Sequence, residues 1–406
     1  MQKQITKPAY IYTFLLMILP IMDSLNGLLN GGANENGLSL GILYRVIILL
    51  FSIFYCVIYG IDKRSFLFLL ILGIYLIISV TLYANYYMST YVVVLFKLVL
   101  PIMIITTMIT LKRRYRVNKK IIKKIMDVWL IVFPLTMLGA YILGIGFSTY
   151  GDSSSMVGGE SVGFKGLYYA QNDISYVLDL LYTYAVSKIV NRASLINIIE
   201  FILILVSSVI MGLKGNYLII FAVTLYYLIK AEKSDHSRYR KLVLFSAIIL
   251  GALISSYLFR NDFMKIINRW QYFYNKNSLI SFVTSTRSDR VVPTFNWIKN
   301  NFGYSGIIFG SGYSYTDSIV PFKYVEMDFF DVLFQLGVLG IFLIYGYYIK
   351  IYTTYKVHGN YYSVAFILTL IISTLSGHVL ETALSGVFFA VICTGLIFNS
   401  ETVKES

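Results

Sequence analysis

Ten ionisable side chains lie within or beside long apolar runs: Arg45, Lys97, Asp127, Asp173, Asp179, Glu200, Lys214, Asp328, His378 and Glu381. A charge at the centre of a membrane span costs about 2.5–3.5 kcal/mol on insertion scales, so such residues are candidates for a site. Three neighbourhoods sharpen the case. In Glu326-Met327-Asp328-Phe329-Phe330-Asp331-Val332-Leu333-Phe334-Gln335, carboxylates stand at the mouth of a helix, and Asp328, Asp331 and Gln335 share a face at i, i+3 and i+7. Asn172, Ser175 and Asp179 repeat that spacing, and a polar stripe within a span must face protein or water. Lys214, in the turn Gly212-Leu213-Lys214-Gly215-Asn216, reads either as an interfacial anchor or as an anion ligand. Against all of them stands a plain alternative, in which end-of-helix charges snorkel to the interface.

The elements that carry these residues are membrane helices. Of 406 residues 57% are hydrophobic and 13% charged, whereas soluble domains carry about 25% charged residues. The apolar residues come in blocks of about 20, the thickness of a bilayer core. The expected fold is all-α, with about twelve spans, placed near 9–28, 38–60, 65–83, 90–111, 125–147, 171–190, 195–213, 215–230, 242–259, 327–350, 361–378 and 381–398. The net charge of 34 − 20 = +14 does not point to nucleic acid, because much of the excess lies in short loops, as in Lys112-Arg113-Arg114-Tyr115-Arg116 and from Lys230 to Lys241. Loops at 61–64, 112–124, 188–194, 230–241 and 350–360 all contain Lys or Arg, while 29–37 and 84–89 contain neither. The basic set belongs in the cytoplasm with both termini. The N-terminal apolar stretch lacks a small-residue cleavage site and reads as the first span. Cys56 and Cys393 sit in apolar runs as packing residues, and Cys/His metal spacing is absent.

A single polytopic domain over 1–406 is expected, with a glycine-rich outer loop at 148–170 and a large outer loop at 260–325. The second carries Trp270, Trp297 and the bases Arg260, Lys265, Arg269, Lys276, Arg287, Arg290, Lys299 and Lys323. A segment this long without secondary structure is functional or disordered. With this topology Arg45, Lys97, Asp173, Lys214, Asp328, His378 and Glu381 fall near the outer ends of their spans. Asp127 and Glu200 fall toward the cytoplasm and Asp179 near the middle. One polar cavity open to the outer face accounts for this better than a relay across the membrane. The competing class is a transporter, such as a lipid-linked oligosaccharide flippase. That class calls for charges spread through both halves, and the chain shows no internal repeat.

Three motifs, in order, carry a resemblance. Gly163-Phe164-Lys165-Gly166-Leu167 leads into Ala170-Gln171-Asn172-Asp173. Ser285-Thr286-Arg287-Ser288-Asp289 is followed by Ile308-Phe309-Gly310-Ser311-Gly312-Tyr313. Glu326-x-Asp328 is followed by Leu336-Gly337-Val338-Leu339-Gly340. In these the chain resembles the bacterial oligosaccharide repeat-unit polymerases, relatives of the O-antigen ligases. The ligases usually have His where Glu326 stands, and the Glu favours a polymerase; they usually have Arg where Lys214 stands, so Lys214 matches the family's pattern less closely than Arg287 does. The resemblance implies a GT-C-like architecture and a metal-independent glycosyltransferase without cofactor, working at the outer face of the cytoplasmic membrane. A growing glycan on a polyprenyl diphosphate would be passed to a new lipid-linked repeat unit. Arg287, Arg290 and Lys214 are then the expected ligands of the diphosphate. Glu326 is the expected base, with Asp328 second. Asn172, Asp173, Arg45, Lys97 and His378 would line the substrate cavity. The partners implied are the lipid-linked oligosaccharides and membrane lipid, with a chain-length regulator and a flippase, and no nucleic acid.

Overall fold

The computed structural model describes residues 7–29, 39–83, 88–115, 117, 119–151, 161–230, 235–312, 325–375 and 377–404. Arg116, Tyr313 and Lys323, named above, lie outside the described residues, as do 152–160 of the glycine-rich loop. The apolar runs fold as helices because only a helix satisfies its own backbone polar groups in hydrocarbon. They are α1 (Lys7–Leu29), α2 (Leu40–Tyr59), α3 (Lys63–Tyr83), α4 (Met88–Tyr115), α5 (Lys119–Ile142), α6 (Gln171–Asn191), α7 (Leu195–Ile210), α8 (Lys214–Lys230) and α9 (Asp235–Leu258). After them come α10 (Arg260–Lys276), α11 (Leu279–Val283), a 3-10 turn (Arg287–Arg290), α12 (Val291–Phe309), α13 (Asp328–Tyr355), α14 (Tyr361–Leu375) and α15 (Ala383–Lys404). Between α5 and α6 the strands β1 (Ser148–Tyr150) and β2 (Val162–Phe164) pair antiparallel, Ser148 opposite Phe164.

Among the described residues seven helices are long and apolar enough to cross a membrane: α1, α2, Leu95–Tyr115 of α4, α5, Arg238–Leu258 of α9, α13 and Ala383–Ser400 of α15. The chain is an all-α polytopic membrane protein. The other five expected spans also fall on helices, α3, α6, α7, α8 and α14. Of these, α7 and α14 are apolar but short, at 16 and 15 residues. Helix α6 is polar for a span, and most of its side chains are buried. A helix surrounded by protein can carry polar groups that lipid would reject.

Two compact units divide the chain. The first holds Met1–Tyr12, Arg45–Ile122 and Asn277–Ser406, and the second Thr13–Tyr44 and Lys123–Lys276. In the first, Gly386 of α15 sits where a methyl group would come 2.9 Å from the Pro101 ring, so a small residue allows α4 and α15 to close together. In the second, α6 packs among α7, α8 and α9.

Two expectations change. The segment 260–325 is not an unstructured loop: α10, α11, the 3-10 turn and α12 occupy its described part. In α10 the apolar residues Phe263, Ile266, Ile267 and Trp270 recur at helical spacing, while Lys and Arg between them lower its average hydropathy. Gly337, inside the span expected near 327–350, breaks α13. It takes φ +67°, and a methyl group there would lie 2.2 Å from the Ile308 carbonyl oxygen. The carbonyls released by the break find donors in the chain just after α12: Ser311 N to Phe334 O at 2.8 Å and Gly312 N to Gln335 O at 3.0 Å. The Tyr75 hydroxyl donates to Leu336 O and lies 3.3 Å from Phe309 O.

Candidate active site

The turn that presents the arginines is built from hydroxyls. Thr286 N donates to Ser281 O at 2.7 Å, Ser281 Oγ to Asp289 Oδ2 at 2.6 Å, and Thr284 Oγ1 to Ser288 Oγ at 2.9 Å. These bonds tie Arg287–Arg290 to α11. They also hold Ser285 and Thr286 in the left-handed region, at φ 56° and 66°. Arg287 is buried, and its Nε donates to Glu326 Oε2 at 3.1 Å. Arg290 Nη1 stands 3.2 Å from Glu326 Oε1. Each carboxylate oxygen of Glu326 therefore meets a different guanidinium.

Glu326 lies two residues before α13 and has φ 65°. A non-glycine residue held in a sparsely populated region costs about 1–3 kcal/mol and persists only when its surroundings impose it. Here the constraint is Asp331, in the first turns of α13. Its Oδ1 accepts Val325 N at 2.8 Å and its Oδ2 accepts Met327 N at 3.0 Å, gripping the backbone on both sides of Glu326. Ser285, Thr286 and Glu326 are the non-glycine residues of positive φ among those described, and all three flank this one ion-pair group. Burial raises the Glu326 pKa, but the charges of Arg287 and Arg290 outweigh it and hold the group below its usual range.

Behind Glu326 lies a second cluster. Asp328 is fully buried; its Oδ2 accepts the amides of Val379 at 2.5 Å and Leu380 at 2.7 Å, and its Oδ1 is 3.3 Å from His378 Nδ1. The same Nδ1 is 3.8 Å from Asp331 Oδ2 and from Glu381 Oε2. Burial alone would lower the His378 pKa. The hydrogen bond to Asp328 and the charges of Asp328, Asp331 and Glu381 reverse that and raise it to about 9. Asp328, expected as the second base, is turned inward to hold the 378–380 segment. Among the described residues Asp328, His378 and Glu381 also offer three ligand atoms within 4.8 Å of one another, close enough to hold a metal ion. The amides and the imidazole already occupy both oxygens of Asp328.

The remaining expected site residues are spread more widely. Arg45 is buried on α2 and Lys97 half-buried on α4, in the first unit with the arginines. Asn172 is half-buried and Asp173 buried at the start of α6, and Lys214 opens α8; these three belong to the second unit. There Ser175 Oγ donates to Asn216 Oδ1, and Asp179 is buried, its Oδ1 without a hydrogen-bond partner among the described residues. Two roles were not foreseen. Asp331 entered only as part of a polar face, although an acid in a helix's first turns that reaches back to preceding amides is a known capping pattern. Lys188, counted as a loop base, pairs with Asp127 at 2.9 Å and with Glu200 at 2.6 Å. Comparison with models of protein families, with curated proteins and with solved structures finds no match to this chain.

Proposed function

We propose that the protein is a membrane glycosyltransferase. It polymerises polyprenyl-diphosphate-linked oligosaccharide repeat units into a surface polysaccharide at the outer face of the cytoplasmic membrane. In this reading it has about twelve spans and a GT-C-like architecture. The observation that carries the proposal is the convergence of Arg287, Arg290 and Glu326, each presented from restrained backbone near the start of an apolar helix. Two guanidiniums can receive the charge that develops on a departing diphosphate. A carboxylate beside them can accept the acceptor's hydroxyl proton as the new bond forms. The acceptor oxygen bonds to the anomeric carbon, the bond from that carbon to the diphosphate oxygen breaks, and the electron pair leaves with the diphosphate. Glu326 then loses its proton to water. Lys214, in the other unit, is assigned no step.

The test is a strain lacking the protein, scored for its glycans. Long surface polysaccharide should disappear while single lipid-linked repeat units persist at the outer face. Repeat units trapped at the inner face would instead identify a flippase and overturn the proposal.

A further inference from the structure

The two arginines proposed to hold the diphosphate are both engaged by Glu326, one on each carboxylate oxygen. The proposed base therefore fills the seat that the phosphates need. A carboxylate held by two guanidiniums is also a poor proton acceptor, since their charge favours its ionised form. Both difficulties disappear if the two states alternate. The backbone around Glu326 cannot shift easily, because Asp331 grips the amides of Val325 and Met327. The side chain, with 38% of its surface exposed, has room to turn.

We propose that Glu326 is an internal occupant of the anion seat formed by Arg287 and Arg290. The donor's diphosphate displaces it, and Asp331 is the fixed pivot about which the freed side chain swings toward the acceptor hydroxyl. This rests on the glycosyltransferase reading and adds an order to it: the donor must bind before the base exists. The exchange makes and breaks only ion pairs. The guanidiniums pass from carboxylate to phosphate oxygens, and Glu326, relieved of two positive neighbours, becomes a stronger base. Arginine suits such an exchange because its planar fork fits carboxylate and phosphate oxygens alike.

The experiment measures binding of inorganic pyrophosphate to the full-length protein in nanodiscs of zwitterionic lipid. If Glu326 competes for the seat, Glu326→Gln should bind pyrophosphate about five- to tenfold more tightly than the wild type, the worth of two partly exposed ion pairs that no longer need breaking. Glu326→Ala should move in the same direction, and Arg287→Ala should weaken binding. Asp331→Asn leaves one carbonyl oxygen for two amides and loosens the occupant. It should tighten binding in the wild-type background and change nothing in the Glu326→Gln background. Equal or weaker binding in both Glu326 variants would make Glu326 a support for the arginines and overturn the exchange, while wild-type binding would leave the diphosphate reading standing. Independent effects of Asp331→Asn and Glu326→Gln would remove Asp331 as the pivot. Failure of every variant to bind pyrophosphate would overturn the exchange together with the diphosphate reading beneath it.

Discussion

Arg287 donates through Nε, from a turn braced by hydroxyl bonds. An ammonium in its place keeps the charge but loses the fork geometry. Arg287→Ala should therefore lower polymerisation by about 10²–10³, the usual cost of removing one donor to developing negative charge, with Arg287→Lys recovering only part. Both are read from glycan length at matched protein abundance. Glu326→Gln should cost about 10²–10⁴ in rate, the range for a lost general base, with lipid-linked units accumulating. Asp328→Asn should act differently. Asp328 holds two amides and an imidazole in a buried site. Its loss should appear first as lower thermal stability, and a variant inactive at full stability would return Asp328 to the chemistry. His378 supplies a pH test whose sign is fixed. Its folded pKa is about 9 against an ordinary 6.5. The stability that its charge contributes is complete below about pH 6.5 and is lost as pH rises through 9. The stability gap between wild type and His378→Gln should thus be widest at pH 6 and narrow by pH 10. A gap that stays constant would mean that His378 is not charged in its cluster of acids.

At the scale of elements, the break at Gly337 should be the most sensitive point of the first unit. Gly310, at φ +85°, faces it, and a methyl group there would lie 2.2 Å from the Gln335 carbonyl oxygen. Gly337→Ala or Gly310→Ala must therefore either move the backbone or separate α12 from α13. Strain at φ near +70° alone is worth about 1–3 kcal/mol, so each change should lower the unfolding temperature measurably. Tyr75→Phe removes only a hydroxyl and should cost about 1 kcal/mol. Equal tolerance of all three substitutions would show that the break carries no structural load. Phe309-Gly310-Ser311-Gly312 and Leu336-Gly337 were legible as two motifs in order. Their contact was not, because pairing between segments about two dozen residues apart leaves no local periodicity. For the same reason the sequence set Arg287, Arg290 and Glu326 side by side as candidates without revealing that they bind one another. The helices themselves were legible, since apolar runs of about 20 residues have few other folds available. What failed was inference from average polarity. Basic α10 read as loop, and Lys188 read as a loop charge, although Asp127 and Glu200 in neighbouring apolar runs each called for a cation.

At the scale of the whole chain, each unit on its own sorts its contacts by the side on which the alternating topology puts them. In the first, Arg287, Glu326 and His378 come from three segments assigned outside. Asp62 pairs with Arg113 at 3.4 Å, and Lys112 Nζ donates to Ile397 O at 3.2 Å, all from segments assigned inside. In the second, Asp127, Lys188 and Glu200 meet from segments assigned inside, and Arg240 Nη1 reaches Val190 O at 3.1 Å from segments assigned to that same side. The Tyr141 hydroxyl donates to Leu258 O at 3.2 Å, both from span ends assigned outside. Alternation alone does not say which side is the cytoplasm. That sign rests on the Lys and Arg of the inner loops, which are held back during insertion. It is open to a direct test, because Cys56 and Cys393 are both buried and give little background to a thiol reagent. Single cysteines placed at the exposed positions Asn275, Arg192 and His358 sample both sides. An impermeant maleimide added to intact cells should label Asn275→Cys and spare Arg192→Cys and His358→Cys until the membrane is opened. The reverse pattern would turn the site of Arg287, Arg290 and Glu326 toward the cytoplasm. An outer-face polymerase would then no longer be a tenable reading of the same residues.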